Sequence, residues 1–175
     1  MKDNNFIKFI HISDKLYNIL KNFEKKKNHS SNFANDDLYK FVKKCKLILD
    51  NKNEIKAVII ALYPRKEKAT SLSAKFVKKI FEIMVEYVGD ILPQNSSKEK
   101  IIQVFDRDRK LSINKGSRYH QTREGGSIHT DNVNIPSHWD YLMFSCLSSA
   151  KAGGETILVD SKQIHKELIK NFNDD

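Results

Sequence analysis

One short apolar stretch, Lys56-Ala57-Val58-Ile59-Ile60-Ala61-Leu62, constrains the fold more than any other segment. It is β-branched and strand-sized, and Pro64 ends it, so it reads as a buried strand. The longest apolar run, Ala57 to Tyr63, falls well short of the ~20 residues a membrane helix needs. What surrounds the strand is helical in pattern. Ser13 can cap a helix in which Leu16, Ile19, Leu20 and Phe23 recur at helical spacing. After the polar linker His29-Ser30-Ser31-Asn32, residues Asn35, Asp36 and Asp37 open a second helix carrying Leu38, Phe41, Val42, Cys45 and Leu49. Acidic residues at its start and lysines further along suit the helix dipole. A third helix is expected from about Ser73 to Val88, with Phe76, Ile80, Phe81, Met84 and Val88 on one face and Gly89 closing it.

Beyond Gly89 the character changes. Pro93 to Lys98 reads as a loop and Ile101 to Phe105 as a strand. Asn114 to Ser127 is polar and glycine-bearing, an irregular approach of the kind that lines active sites. Tyr141 to Leu147 and Thr156 to Val159 are strand candidates, joined through a turn at Ala152-Gly153-Gly154 that needs positive φ. Asp160 or Ser161 can cap a last helix with Ile164, Leu168 and Ile169. Helices come first and short strands follow, so the class is α+β around a sheet-based core.

Composition narrows the function classes. With 39% hydrophobic and 30% charged residues among 175, the chain is globular and leans polar. The N-terminus lacks the basic-then-apolar order of a signal peptide, so the expected location is cytoplasmic. Cys45 and Cys146 read as a reduced pair, with Cys146 in the core. The net charge of +9 invites a nucleic-acid partner. However, the lysines spread along helical stretches and no aromatic residues interleave with arginine for base stacking, which favours a solvated basic surface.

The chemistry concentrates in Gly125-Gly126-Ser127-Ile128-His129-Thr130-Asp131-Asn132. On a strand, His-x-Asp puts an imidazole and a carboxylate on one face, because side chains alternate with period two. Two such donors can hold adjacent positions on a metal, and a distant His completes the facial triad of non-heme iron(II) oxygenases. Alone, the tripeptide is a weak signal that random matches produce often, and it reads first as a surface His near a turn. Arg118, His120 and Arg123 cluster just before it and offer guanidinium forks to an anionic substrate, or else are solvated loop charges. His120 and His138 are further candidates for the third ligand. Trp139 and Tyr141 read as packing residues and Glu155 as structural.

The segment from Gly126 to Asp160 resembles the TauD/TfdA-like (taurine dioxygenase and clavaminate synthase-like) superfamily of 2-oxoglutarate-dependent oxygenases. In that family a His-x-Asp/Glu motif is followed by an aromatic approach, an apolar strand and a Gly-Gly-Glu/Asp-Thr turn. Here these are His129-Thr130-Asp131, Trp139-Asp140-Tyr141-Leu142 and Gly153-Gly154-Glu155-Thr156. The resemblance covers about Lys56 to Lys170 and is strongest in its last third. It implies a double-stranded β-helix, or jelly roll, with helices packed outside. It also implies Fe(II) held by His129 and Asp131, 2-oxoglutarate as cosubstrate with Thr156 binding one of its carboxylates, and an oxidoreductase that hydroxylates a small molecule such as an amino acid or anionic metabolite.

The expected organisation is one domain over residues 1–175, with a helical part at 1–52 and the first part of a jelly roll at 53–175. The family's distal iron-binding His and its 2-oxoglutarate-binding Arg have no counterpart after Thr156; His165 lies in a helical pattern and reads as surface. The expectation is therefore a truncated, partial barrel with an open sheet edge prone to self-association, inactive or nearly so alone. The alternative is a non-catalytic, degenerate oxygenase half that acts as a binding protein.

Overall fold

The computed structural model describes residues 6–26, 36–51, 55–107, 110, 112–117, 121–122, 124, 126–131 and 139–172. The order of elements is β1 (Ile7–His11), α1 (Asp14–Lys25), α2 (Asp36–Asp50), β2 (Ala57–Ala61), α3 (Ala74–Val88), a 3-10 turn at Ile113–Lys115, and α4 (Ser161–Phe172). The chain divides into two compact units, Met1–Ile101 with Met143–Ser148, and Ile102–Leu142 with Ser149–Asp175.

In the first unit β1 and β2 pair in parallel, with Ile7 opposite Ala57 and His11 opposite Ala61. Parallel strands cannot be joined by a tight turn, and here α1 and α2 form the crossover between them. The ladder extends past both ends: the Ala57 amide donates to the Phe6 carbonyl at 3.1 Å and the Ile12 amide to the Ala61 carbonyl at 3.1 Å. The strand β1 was not anticipated from sequence. Its alternation of Ile7, Phe9 and His11 with Lys8 and Ile10 carries the signal, but it sits directly before a strongly helical pattern.

The helices begin where their caps require. The Ser13 hydroxyl accepts from the Leu16 amide at 3.2 Å, satisfying one of the unpaired donors of the first turn of α1. Ser73 does the same for α3 through the Phe76 amide at 3.3 Å. Glu24 on α1 in turn accepts from both the amide and the hydroxyl of Ser73, at 2.9 and 2.5 Å, which ties the start of α3 to the end of α1. Ser13→Ala is expected to cost about 1 kcal/mol, measured as a shift in denaturant midpoint with an unchanged m value. An effect under a few tenths of that would show that the cap is idle.

The core of this unit is built on Leu16, Tyr17 and Leu20 of α1, Leu38 and Val42 of α2, and Phe76, Val77, Ile80 and Met84 of α3, with Ile12 and Leu72. Every helical position singled out in the sequence for α1 lies in this cluster or packs against it. Tyr17 is the polar member. Its hydroxyl lies 2.9 Å from the Ser71 hydroxyl and accepts from the Ser71 amide at 2.9 Å, so its burial leaves no orphan.

Three expected strands are not formed. Ile101–Phe105, Tyr141–Leu147 and Thr156–Val159 are irregular, and Val104, Phe144 and Ile157 are exposed. Strand propensity measures fit to a pleated, half-buried surface, and a segment without a ladder partner does not become a strand. The one sheet among the described residues is β1–β2, so the jelly roll is not seen among them. The helices, expected outside the sheet, instead supply most of the core. Cys146 is exposed, where a core position was expected, while Cys45 is buried and its thiol is pushed up by that burial.

In the second unit the Arg107 amide donates to the Gln121 carbonyl at 3.1 Å, and Thr122 is buried with its hydroxyl accepting from the Glu124 amide. The expected last helix is present as α4. Asp160 caps it, its carboxylate accepting from the Lys162 amide at 2.9 Å. No residue of α4 is buried. Among the described residues, no helix is long and apolar enough to cross a membrane.

Candidate metal site

His129 and Asp131 converge without a strand. The chain bends at Ile128 and turns at Asp131, and the two side chains meet with His129 Nε2 3.3 Å from Asp131 Oδ1. The other ring nitrogen, Nδ1, is bound to the Ser127 carbonyl at 2.6 Å. A carbonyl can only accept, so Nδ1 carries a proton there and Nε2 is the nitrogen turned toward the carboxylate. The imidazole pKa is held above its ordinary value, first by the hydrogen bond to the Ser127 carbonyl and then by the Asp131 charge. Both side chains are about half exposed, so the pair is open to solvent and to small ligands.

This arrangement fits a metal at two positions. Ligands about 2.1 Å from a cation and at right angles stand about 3.0 Å apart, close to the 3.3 Å seen. A ligating His commonly gives its other N–H to a backbone carbonyl, which fixes the ring orientation; Ser127 fills that role. Among the described residues, no third His, Cys, Asp or Glu joins the pair.

The other residues singled out in sequence are distributed as follows. Gly153 and Gly154 have φ of +75° and +85°, the left-handed conformation expected of this turn. Thr156 and Glu155 follow it and are exposed. His165 lies on α4 and is exposed. Trp139 and Tyr141 are half-buried. Arg118, His120, Arg123 and His138 lie outside the described residues.

The chain thus brings His129 and Asp131 together and carries a left-handed Gly-Gly turn leading into Glu-Thr. Residues 70–174 match the Taurine catabolism dioxygenase TauD, TfdA family, and the chain belongs to that family. No curated protein and no solved structure matches it.

Proposed function

We propose that this chain carries the metal-binding part of an Fe(II)/2-oxoglutarate-dependent oxygenase that hydroxylates a small molecule, an amino acid or an anionic metabolite. The observation that carries this is the convergence of His129 Nε2 and Asp131 Oδ1 inside the family match. Bound there, iron(II) would couple the oxidative decarboxylation of 2-oxoglutarate to oxidation of a substrate C–H bond.

The protein's own residues bind and orient. His129 would hold the metal through Nε2, with the Ser127 carbonyl keeping the ring from rotating. Asp131 would supply the anionic donor. The Thr156 hydroxyl would donate to a carboxylate of 2-oxoglutarate. Arg118 and Arg123, with His120, would meet an anionic substrate group through forked, charge-assisted hydrogen bonds. The surrounding architecture is proposed to be the first part of the family's jelly roll over residues 53–175, in a cytoplasmic protein.

A second reading, a non-catalytic binding protein on the same scaffold, draws on the His129–Asp131 pair having no third His, Cys, Asp or Glu beside it among the described residues, where a facial triad has three donors. Calorimetry separates the two. With iron(II) present and oxygen excluded, 2-oxoglutarate is expected to bind, and Thr156→Val is expected to weaken it about tenfold, the equivalent of one charge-assisted hydrogen bond. Iron-dependent binding followed by succinate formation in air supports the oxygenase. Iron binding with no affinity for 2-oxoglutarate supports the binding protein.

A further inference from the structure

The net charge is confined to one of the two units. The stretch Met1–Ile101 carries 21 Lys and Arg against 12 Asp and Glu, which accounts for the whole of the +9, and residues 102–175 carry 10 of each. Within the first unit, the junction of α1 and α3 gathers lysines that lie far apart in sequence. Glu24 bonds to Ser73, the rings of Phe23 and Phe76 are 6.1 Å apart, and Lys79 Nζ lies 5.7 Å from the centre of the Phe23 ring. Lys21, Lys25 and Lys26 at the end of α1 share this junction with Lys75, Lys78 and Lys79 in the first turns of α3.

Little on these helices neutralises the six. Glu24 is the only acid from Lys15 to Lys26 and from Ser73 to Phe81, and its carboxylate is engaged by Ser73. Lys15, Lys40, Lys46 and Lys66 each pair with a carboxylate, whereas among the described residues none of the six does. Lys21 and Lys25, like Lys75 and Lys79, stand four residues apart on a helix, where like charges repel. Lys75 also sits in the first turn of α3 against the helix dipole, with no acid in that turn. An anion set against the junction relieves each of these. What the surface lacks selects the anion. Neither α1 nor α3 carries a large exposed apolar side chain to sink into a bilayer, or an exposed aromatic ring on which an unpaired base could stack. Ammonium groups act as point charges that meet phosphates without reading base edges. A duplex offers them a regular array, one phosphate charge per about 1.7 Å of its axis.

We propose that the lysine face at the α1–α3 junction binds the phosphate backbone of a nucleic-acid duplex, without sequence preference.

Fluorescence anisotropy of a short labelled DNA duplex of mixed sequence, titrated with the full chain at several salt concentrations, tests this. Affinity is expected to fall steeply with salt, with a log–log slope near about −5 when all six lysines meet phosphates. A duplex of shuffled sequence is expected to bind equally. Lys25→Gln combined with Lys75→Gln, one from each helix, is expected to weaken binding about tenfold and to make the slope shallower by about 2. Both residues are exposed, so far-ultraviolet circular dichroism of this variant is expected to match that of the unaltered chain. Lys166→Gln combined with Lys170→Gln, on α4 of the second unit, removes the same net charge and is expected to leave affinity within about twofold. No binding at low salt overturns the proposal. So does an equal loss in the two double variants, which would assign binding to overall charge. So does equal or tighter binding of poly-glutamate or of phosphatidylserine vesicles, which would give the face to an acidic protein or to a membrane.

Discussion

Leu20→Ala is expected to destabilise the first unit by about 2–5 kcal/mol, a large share of the ~5–15 kcal/mol that holds a domain folded. Leu20 is fully buried on α1, in the cluster that also takes in α2 and α3. Truncation loses the transfer energy of the removed carbons and leaves a cavity that three helices cannot readily collapse around. Ile80 on α3, also fully buried, is expected to behave alike. Leu47→Ala is the contrast: at 67% exposure it should stay within about 0.5 kcal/mol. Urea denaturation followed by circular dichroism gives all three values. A loss below 1 kcal/mol for Leu20→Ala would mean that the helices do not share one core.

The helical part of this fold was legible because its determinants are local. Ser13 and Ser73 sit where a hydroxyl can accept from an amide three residues on, and Leu16, Leu20, Phe76, Ile80 and Met84 recur at helical spacing. The Gly153-Gly154 turn was legible for the same reason, since a left-handed backbone selects glycine whatever surrounds it. Strands are different. β1 and β2 exist because they are each other's partner across two helices, and no window around Ile7–His11 contains Ala57–Ala61. Thr156–Val159 is at least as rich in β-branched residues and forms no strand. Cys146 shows the limit of the same logic at one residue: an apolar neighbourhood in sequence did not decide which way its thiol would face.

At the site, the two residues singled out in sequence come together, but by a route other than the expected one. His129 and Asp131 were expected to share a strand face. They meet instead because the chain bends at Ile128 and turns at Asp131, with His129 folded back onto the carbonyl two residues before it. A period-two spacing and a local turn both bring residues i and i+2 together, and the tripeptide alone does not distinguish them. The Ser127 carbonyl could not have been foreseen, because a backbone acceptor leaves no mark in residue identity.

Asp131→Ala is expected to lower iron(II) affinity by more than about 100-fold. Removing an outer-shell partner of a metal ligand already costs about 10–100-fold, and Asp131 would supply a donor atom and the negative charge of the pair. His129→Ala is expected to match it, since either change leaves one donor where two stood 3.3 Å apart. The double variant should then be little worse than either single one, because two ligands of one ion act as a unit and their losses do not add. Asp131→Asn separates charge from shape: it keeps an oxygen donor while losing the anion, so its affinity should fall between the unaltered chain and Asp131→Ala. Both side chains are half exposed, so the fold is expected to survive each change. Anaerobic titration with iron(II), read by calorimetry, measures the series. Affinity unchanged in both single variants would place the iron elsewhere on the chain. Losses that sum in the double variant would mean that His129 and Asp131 bind separate ions.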